Sequence, residues 1–169
     1  MALMQSSMVP LGTPAHDFTL KGIGEKSHSL LDYKEAKVLV VVFMCNHCPY
    51  VQAIWDDLVA LSKQSAAEVQ FIGINSNANP NYPEDSFEKM KEYAALKGQD
   101  FPYLFDEDQA VAQAYKAQCT PDIFVYGPSR ELCYRGAFSG LAKAIECVLK
   151  NEEAPMKQDH SIGCSIKWM

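Results

Sequence analysis

The chain has 169 residues, 48% of them hydrophobic and 21% charged, which fits one globular domain and excludes disordered or collagen-like chains. With 15 Lys and Arg against 21 Asp and Glu the formal net charge is −6, a poor match to nucleic acid or an anionic membrane surface. No apolar stretch approaches the ~20 residues of a membrane helix.

Residues 1–15 carry Pro10 and Pro14 amid polar spacing and read as loose. They show neither the basic nor the apolar region of a Sec-type signal peptide, so the expected location is the cytoplasm, where thiols stay reduced. Residues 16–20 and 27–31 suit a hairpin around Gly22 and Gly24. Lys37 to Met44 is apolar throughout after the lysine and rich in β-branched residues, the pattern of a central strand buried on both faces. Cys45-Asn-His-Cys-Pro49 follows at once, and Val51, Ile54, Trp55, Leu58 and Leu61 then recur at helical spacing, predicting a helix over about 46–66. Pro49 falls in its first turn, where a missing N–H costs little. Val69 to Asn75 is a second strand, and strand–helix–strand makes a βαβ unit with parallel strands.

Residues 76–85 are rich in Asn and Pro and read as a loop. A helix follows over 86–97, with Asp85 and Glu88 spaced as a capping box and Gly98 as its stop. Residues 109–117 suit another helix, and 122–126 and 131–135 a strand pair turning at Gly127–Arg130. Leu141, Ala144, Ile145, Val148 and Leu149 form the cleanest helical stripe, with Ser139 as its cap. Residues 151–169 lack periodicity and read as a tail on a single domain spanning 1–169. The order predicts an α/β architecture: a mixed sheet with helices on both faces.

Six cysteines stand at 45, 48, 119, 133, 147 and 164. Only Cys45 and Cys48 form a recognisable C-x-x-C pair, and it sits where a strand runs into a helix. Placed at the helix N-cap, Cys45 would be ionised by the free N–H groups and the macrodipole, which makes it the candidate nucleophile. Cys48, one turn on, would resolve the mixed disulfide. This exchange needs two sulfurs that can bond and that a substrate can reach. His47 between them is a candidate modulator of the thiolate. A zinc site would need a second ligand pair, so no metal is expected. Parallel strands bring loop 76–85 to the same sheet edge, and an antiparallel strand 122–126 would bring Cys119-Thr120-Pro121 there too. Cys119 and Cys164 are candidate further thiols, although each also suits packing, the latter under a tail docked by Ile166 and Trp168. Cys133 and Cys147 read as packing residues. Asn75, Asn77 and Asn79 are ordinary loop residues that could also hold a substrate backbone.

The segments Val40–Val51 (with C-N-H-C-P-Y-V), Cys119–Val125, Tyr134-Arg-Gly136 and Gly163–Trp168 together resemble the thioredoxin-like redoxins of the AhpC/TSA superfamily. The resemblance implies a thioredoxin fold with an N-terminal β extension and thiol–disulfide oxidoreductase activity. Protein or small-molecule disulfides would be substrates, a dithiol the electron donor, and no cofactor would be bound. It also implies that Pro121 is a cis-proline, with the Thr120 backbone positioning an extended substrate. Two departures stand out. Residues 39–43 carry no buried acid to deprotonate Cys48, and Val38 and Val42 replace the Pro and Thr or Ser that precede a peroxidatic cysteine. A peroxide-reducing antioxidant and a non-catalytic redox sensor are the alternative functions.

Overall fold

The computed structural model describes residues 3–155 and 157–169. In chain order the strands are β1 (Leu3–Gln5), β2 (Thr19–Gly22), β3 (Ser27–Ser29), β4 (Val38–Phe43), β5 (Val69–Asn75), β6 (Tyr103–Phe105), β7 (Cys119–Thr120), β8 (Asp122–Tyr126), β9 (Leu132–Gly136) and β10 (Ile162–Ser165). The helices are α1 (Pro49–Gln64), α2 (Phe87–Lys97), α3 (Ala110–Tyr115) and α4 (Leu141–Leu149). A central sheet runs β3-β2-β6-β5-β4-β8-β9, and a smaller one runs β1-β10-β7.

β4 sits at the middle because its six apolar residues can be buried on both faces, and none retains exposed surface. Val38, Val40 and Val42 point into a core with Trp55 and Leu58 of α1, Met90 of α2, and Leu141 and Ile145 of α4. Leu39, Val41 and Phe43 point the other way, against Val111, Ala112 and Tyr115 of α3. Helices therefore cover both faces, as expected. β4 pairs parallel with β5 and antiparallel with β8, setting Phe43 opposite Ile74 on one side and Asp122 on the other. The β2–β3 hairpin extends the sheet by pairing β2 with β6.

Several boundaries differ from the sequence expectation. Helix α1 starts at Pro49, and its N-cap is Cys48, not Cys45. A residue that precedes proline is disfavoured in the helical region, so Cys48 stays extended (φ −69°, ψ 124°) while Pro49 opens the helix. Ser86 rather than Asp85 caps α2, accepting the Lys89 N–H, and Gly98 closes it at φ +63°. Ahead of α4, residues 138–140 make a 3-10 turn, so Gly140 replaces Ser139 at the cap. β6 lacks a sequence signal because it has only three residues. The apparently featureless ends are strands as well: β1 and β10 pair antiparallel, and β10 pairs antiparallel with β7.

One buried ion pair lies under the joint of the two sheets. Arg135 on β9 donates to Asp122 on β8 through Nη2 (2.8 Å) and Nε (3.3 Å), and to the Lys116 carbonyl at 3.0 Å. Its guanidinium stacks over Phe124 at 4.3 Å. Burial pushes the Asp122 carboxyl up to about 6 against the pull of Arg135.

Candidate functional site

The end of β4, the start of α1 and the β7–β8 junction converge on three sulfurs. Cys45 Sγ lies 3.6 Å from the Thr120 hydroxyl. Cys48 Sγ lies 3.4 Å from the Thr120 carbonyl oxygen and 2.9 Å from Cys164 Sγ. Cys45 and Cys48 stand close enough for each to perturb the other's thiol. The Thr120–Pro121 peptide is cis. The antiparallel β4–β8 pairing brings this junction beside the cysteines, as the topology predicted.

The electrostatics depart from the expectation of an ionised Cys45. The two thiols perturb each other. The Cys48 thiol is pulled down to about 4, first by the Cys45 S–H that donates to it, with burial opposing and Cys164 assisting. The Cys45 thiol is pushed well above its ordinary value, first by Cys48, then by burial and by the Asp85 charge. Cys48 also holds the helix N-cap, where the Val51 N–H adds a smaller downward pull. Such a pair titrates as a unit.

Asp85 is the residue that sequence reasoning missed. Freed from capping α2, its fully buried carboxylate accepts the backbone N–H groups of Asn46 (2.8 Å) and His47 (3.1 Å) and the Asn77 amide (2.9 Å). His47 Nδ1 lies 2.6 Å from Asp85 Oδ2 without hydrogen-bond alignment, and its ring stacks on Tyr82. Tyr103 donates to Asn46 Oδ1 at 2.8 Å, while the Asn46 amide donates to the Glu84 carbonyl at 3.0 Å. The C-N-H-C loop is thus clamped from inside. Cys45, His47 and Asp85 each offer one ligand atom within 4.8 Å of the others, a zinc-compatible set. The Asp85 oxygens are already committed to three protein donors, so these residues fit a clamp better than a metal centre.

The C-terminal segment closes the site. Cys164 pairs with Thr120 and Ser165 with Cys119, so the edge assigned to an extended substrate carries the protein's own strand. Gly163 permits this approach: a Cβ there would stand 1.9 Å from the Thr120 carbonyl oxygen. Asn77 Oδ1 accepts the Lys167 N–H at 3.0 Å, and the Asn79 amide donates to the Trp168 carbonyl at 3.1 Å. These asparagines do hold an extended backbone, and it is that of the tail. Gln109 donates to the Lys167 carbonyl (2.9 Å) and accepts the Met169 N–H (3.0 Å). Cys45 and Cys48 have no exposed surface and the tail's Cys164 stands against Cys48, so exchange with any substrate requires the structure around the sulfurs to open. A cleft of about 550 Å³, bounded by Met4, Gln118, Ser165 and Trp168 among others, lies beside the tail rather than over the sulfurs.

Of the remaining cysteines, Cys119 is buried, its S–H directed at the Pro121 and Ser161 carbonyls, and burial pushes its thiol far up. Cys147 packs in α4, and Cys133 is half-buried on β9.

A hypothetical protein from Sinorhizobium meliloti 1021 is 36% identical over 98% of each chain, with a TM-score of 0.96. An uncharacterized conserved protein from Geobacillus kaustophilus is 38% identical over 100% of this chain and 97% of its own, with a TM-score of 0.97. The thioredoxin domain of a thiol-disulfide oxidoreductase from Bacteroides vulgatus superposes with a TM-score of 0.69 at 16% identity, over 85% of this chain and 99% of its own. That likeness identifies the architecture as a thioredoxin fold. No curated protein matches the chain. The AhpC/TSA family model matches residues 11–138, which include the C-x-x-C loop, Asp85 and the Thr120–Pro121 junction; the chain belongs to the AhpC/TSA family.

Proposed function

We propose that the protein is a thiol–disulfide oxidoreductase acting through Cys45 and Cys48. The observation that carries this reading is the meeting of both sulfurs on Thr120 at the start of α1, each close enough to perturb the other. When the tail moves aside, Cys45 attacks a substrate disulfide, and its proton passes to Cys48. That leaves Cys45 in a mixed disulfide and frees one substrate thiolate. Cys48 then attacks Cys45 Sγ, its proton passes to the second substrate sulfur, which leaves as a thiol, and a Cys45–Cys48 disulfide remains. Thr120 steadies both sulfurs. A dithiol donor returns two electrons to the pair. Substrates of this class are protein or small-molecule disulfides, and the reading carries with it a reducing compartment, the cytoplasm.

The test is catalysed reduction of a protein disulfide by dithiothreitol. The wild-type chain accelerates it, and Cys45→Ser and Cys48→Ser fall to the uncatalysed rate. Reversible oxidation without turnover would replace this reading with that of a redox sensor. Rapid stoichiometric oxidation by peroxide, outrunning disulfide exchange, would replace it with that of a peroxide reductase.

A further inference from the structure

We propose that Cys164 is a third redox thiol of this site, which takes over Cys48 from Cys45 as its disulfide partner. The inference deepens the oxidoreductase reading, but the bond it describes does not depend on that reading.

The geometry is specific. Cys48 and Cys164 are 116 residues apart in sequence, yet their sulfurs are 2.9 Å apart, so nothing local in the chain accounts for the meeting. The register of β10 produces it. Pairing Cys164 with Thr120 on one side and with Leu3 on the other fixes the strand. Gly163 removes the side chain that would collide with Thr120. Beyond the strand, Asn77, Asn79 and Gln109 anchor residues 167–169. The tail lies on the edge where an extended substrate would add to β7, with a cysteine aligned to the active sulfurs. It is arranged as a tethered substrate.

The chemistry balances without an outside reagent. Once Cys45 and Cys48 are joined, the Cys164 sulfur attacks Cys48 Sγ. The Cys48–Cys164 bond forms, the Cys45–Cys48 bond breaks, and the proton from Cys164 ends on Cys45. No electrons are gained or lost; the disulfide changes place and Cys45 returns as a free thiol. In the reduced protein the Cys164 thiol is held up at about 12, first by burial and then by Cys48. Oxidation of Cys48 removes the second of these influences, so Cys164 ionises more readily when its attack is needed. The product disulfide ties the tail to the start of α1 and holds the cover shut until a reductant opens it.

The experiment oxidises full-length Cys45→Ser with oxidised glutathione, blocks the remaining thiols, digests the protein and maps its disulfides by mass spectrometry. The inference expects a Cys48–Cys164 peptide pair, two hydrogens lighter than its reduced form and free of glutathione. It also expects that pair in the singly oxidised wild type, with Cys45 alkylatable. Recovery of Cys48 and Cys164 as separate glutathione adducts or free thiols, in a variant whose circular dichroism matches wild type, overturns it. If Cys45→Ser does not fold, the mapping of the wild type alone decides: oxidised protein holding only Cys45–Cys48 overturns the inference. Disulfide reductase turnover is scored separately. A chain that forms Cys48–Cys164 without turnover loses the oxidoreductase reading and keeps this one, and the reverse result does the opposite.

Discussion

The two sheets are built to different standards. In the seven-stranded sheet β4 is fully buried over six residues and flanked on both sides by paired strands. The three-stranded sheet has strands of three, four and two residues, and Leu3 and Ile162 at its rim are largely exposed. Short, half-exposed strands belong to the low-stability end of a structure's opening spectrum, while a buried central strand opens only with global unfolding. Cys45 and Cys48 hang from the first sheet, and Cys164 from the second. The rigid sheet thus fixes where a disulfide can form. The loosely held one decides what reaches it.

The largest expected effect breaks the rigid side. Arg135→Met leaves Asp122 as an unpaired buried carboxyl and should cost about 3–5 kcal/mol in chemical denaturation, with Asp122→Asn in the same chain recovering part of the loss. An unchanged denaturation midpoint would mean that the pair does not hold the frame. Gly163→Ala acts on the other sheet. Its Cβ meets Thr120 main chain, so β10 must shift. The cost should be about 1–3 kcal/mol and stay local. Alkylation of Cys45 and Cys48 should quicken by about tenfold for each 1.4 kcal/mol of weakened docking, with the global unfolding transition nearly unmoved. Equal alkylation rates in the two proteins would show that the tail is not what shields the sulfurs.

The smallest effect sharpens the comparison at the seam. The Asp85 charge is the third influence holding up the Cys45 thiol, behind Cys48 and burial. Removing a nearby negative charge favours the thiolate. Asp85→Asn should therefore shift the rise of Cys45 alkylation with pH toward lower pH, and an unmoved profile would exclude Asp85 from the electrostatics of the pair.

The long periodic elements were legible in the sequence because their signal is local: the apolar run of β4, the stripes of α1 and α4, the glycine that ends α2. The C-x-x-C pair and the Thr120–Pro121 junction could be placed together because parallel and antiparallel pairing fix which loops share an edge. What escaped depends on contacts between distant residues. Cys164 alternates with Ile162 and Ile166, too short a pattern to mark a strand by itself, and its place in β10 comes from pairing with Thr120 and Leu3. Asp85 looks like a cap because it stands next to a helix, and nothing local shows that its carboxylate turns back to a loop 39 residues earlier. The N-cap shifted from Cys45 to Cys48 for a local reason: Pro49 tolerates the first helical position but holds its predecessor out of the helix.

The sequence contains two tryptophans, and their surroundings could hardly differ more. Trp55 is fully buried with its indole N–H on Gln99, whereas Trp168 is 42% exposed in the tail, four residues beyond Cys164. Fluorescence from the first is insulated from events at the surface, and that from the second is not. Trp55 shares a core cluster with Cys45 and Cys48, so quenching on oxidation belongs to both residues, but a change in emission colour as the sulfurs are oxidised and reduced would come from the tail, which gives the protein a native optical reporter of its own closure.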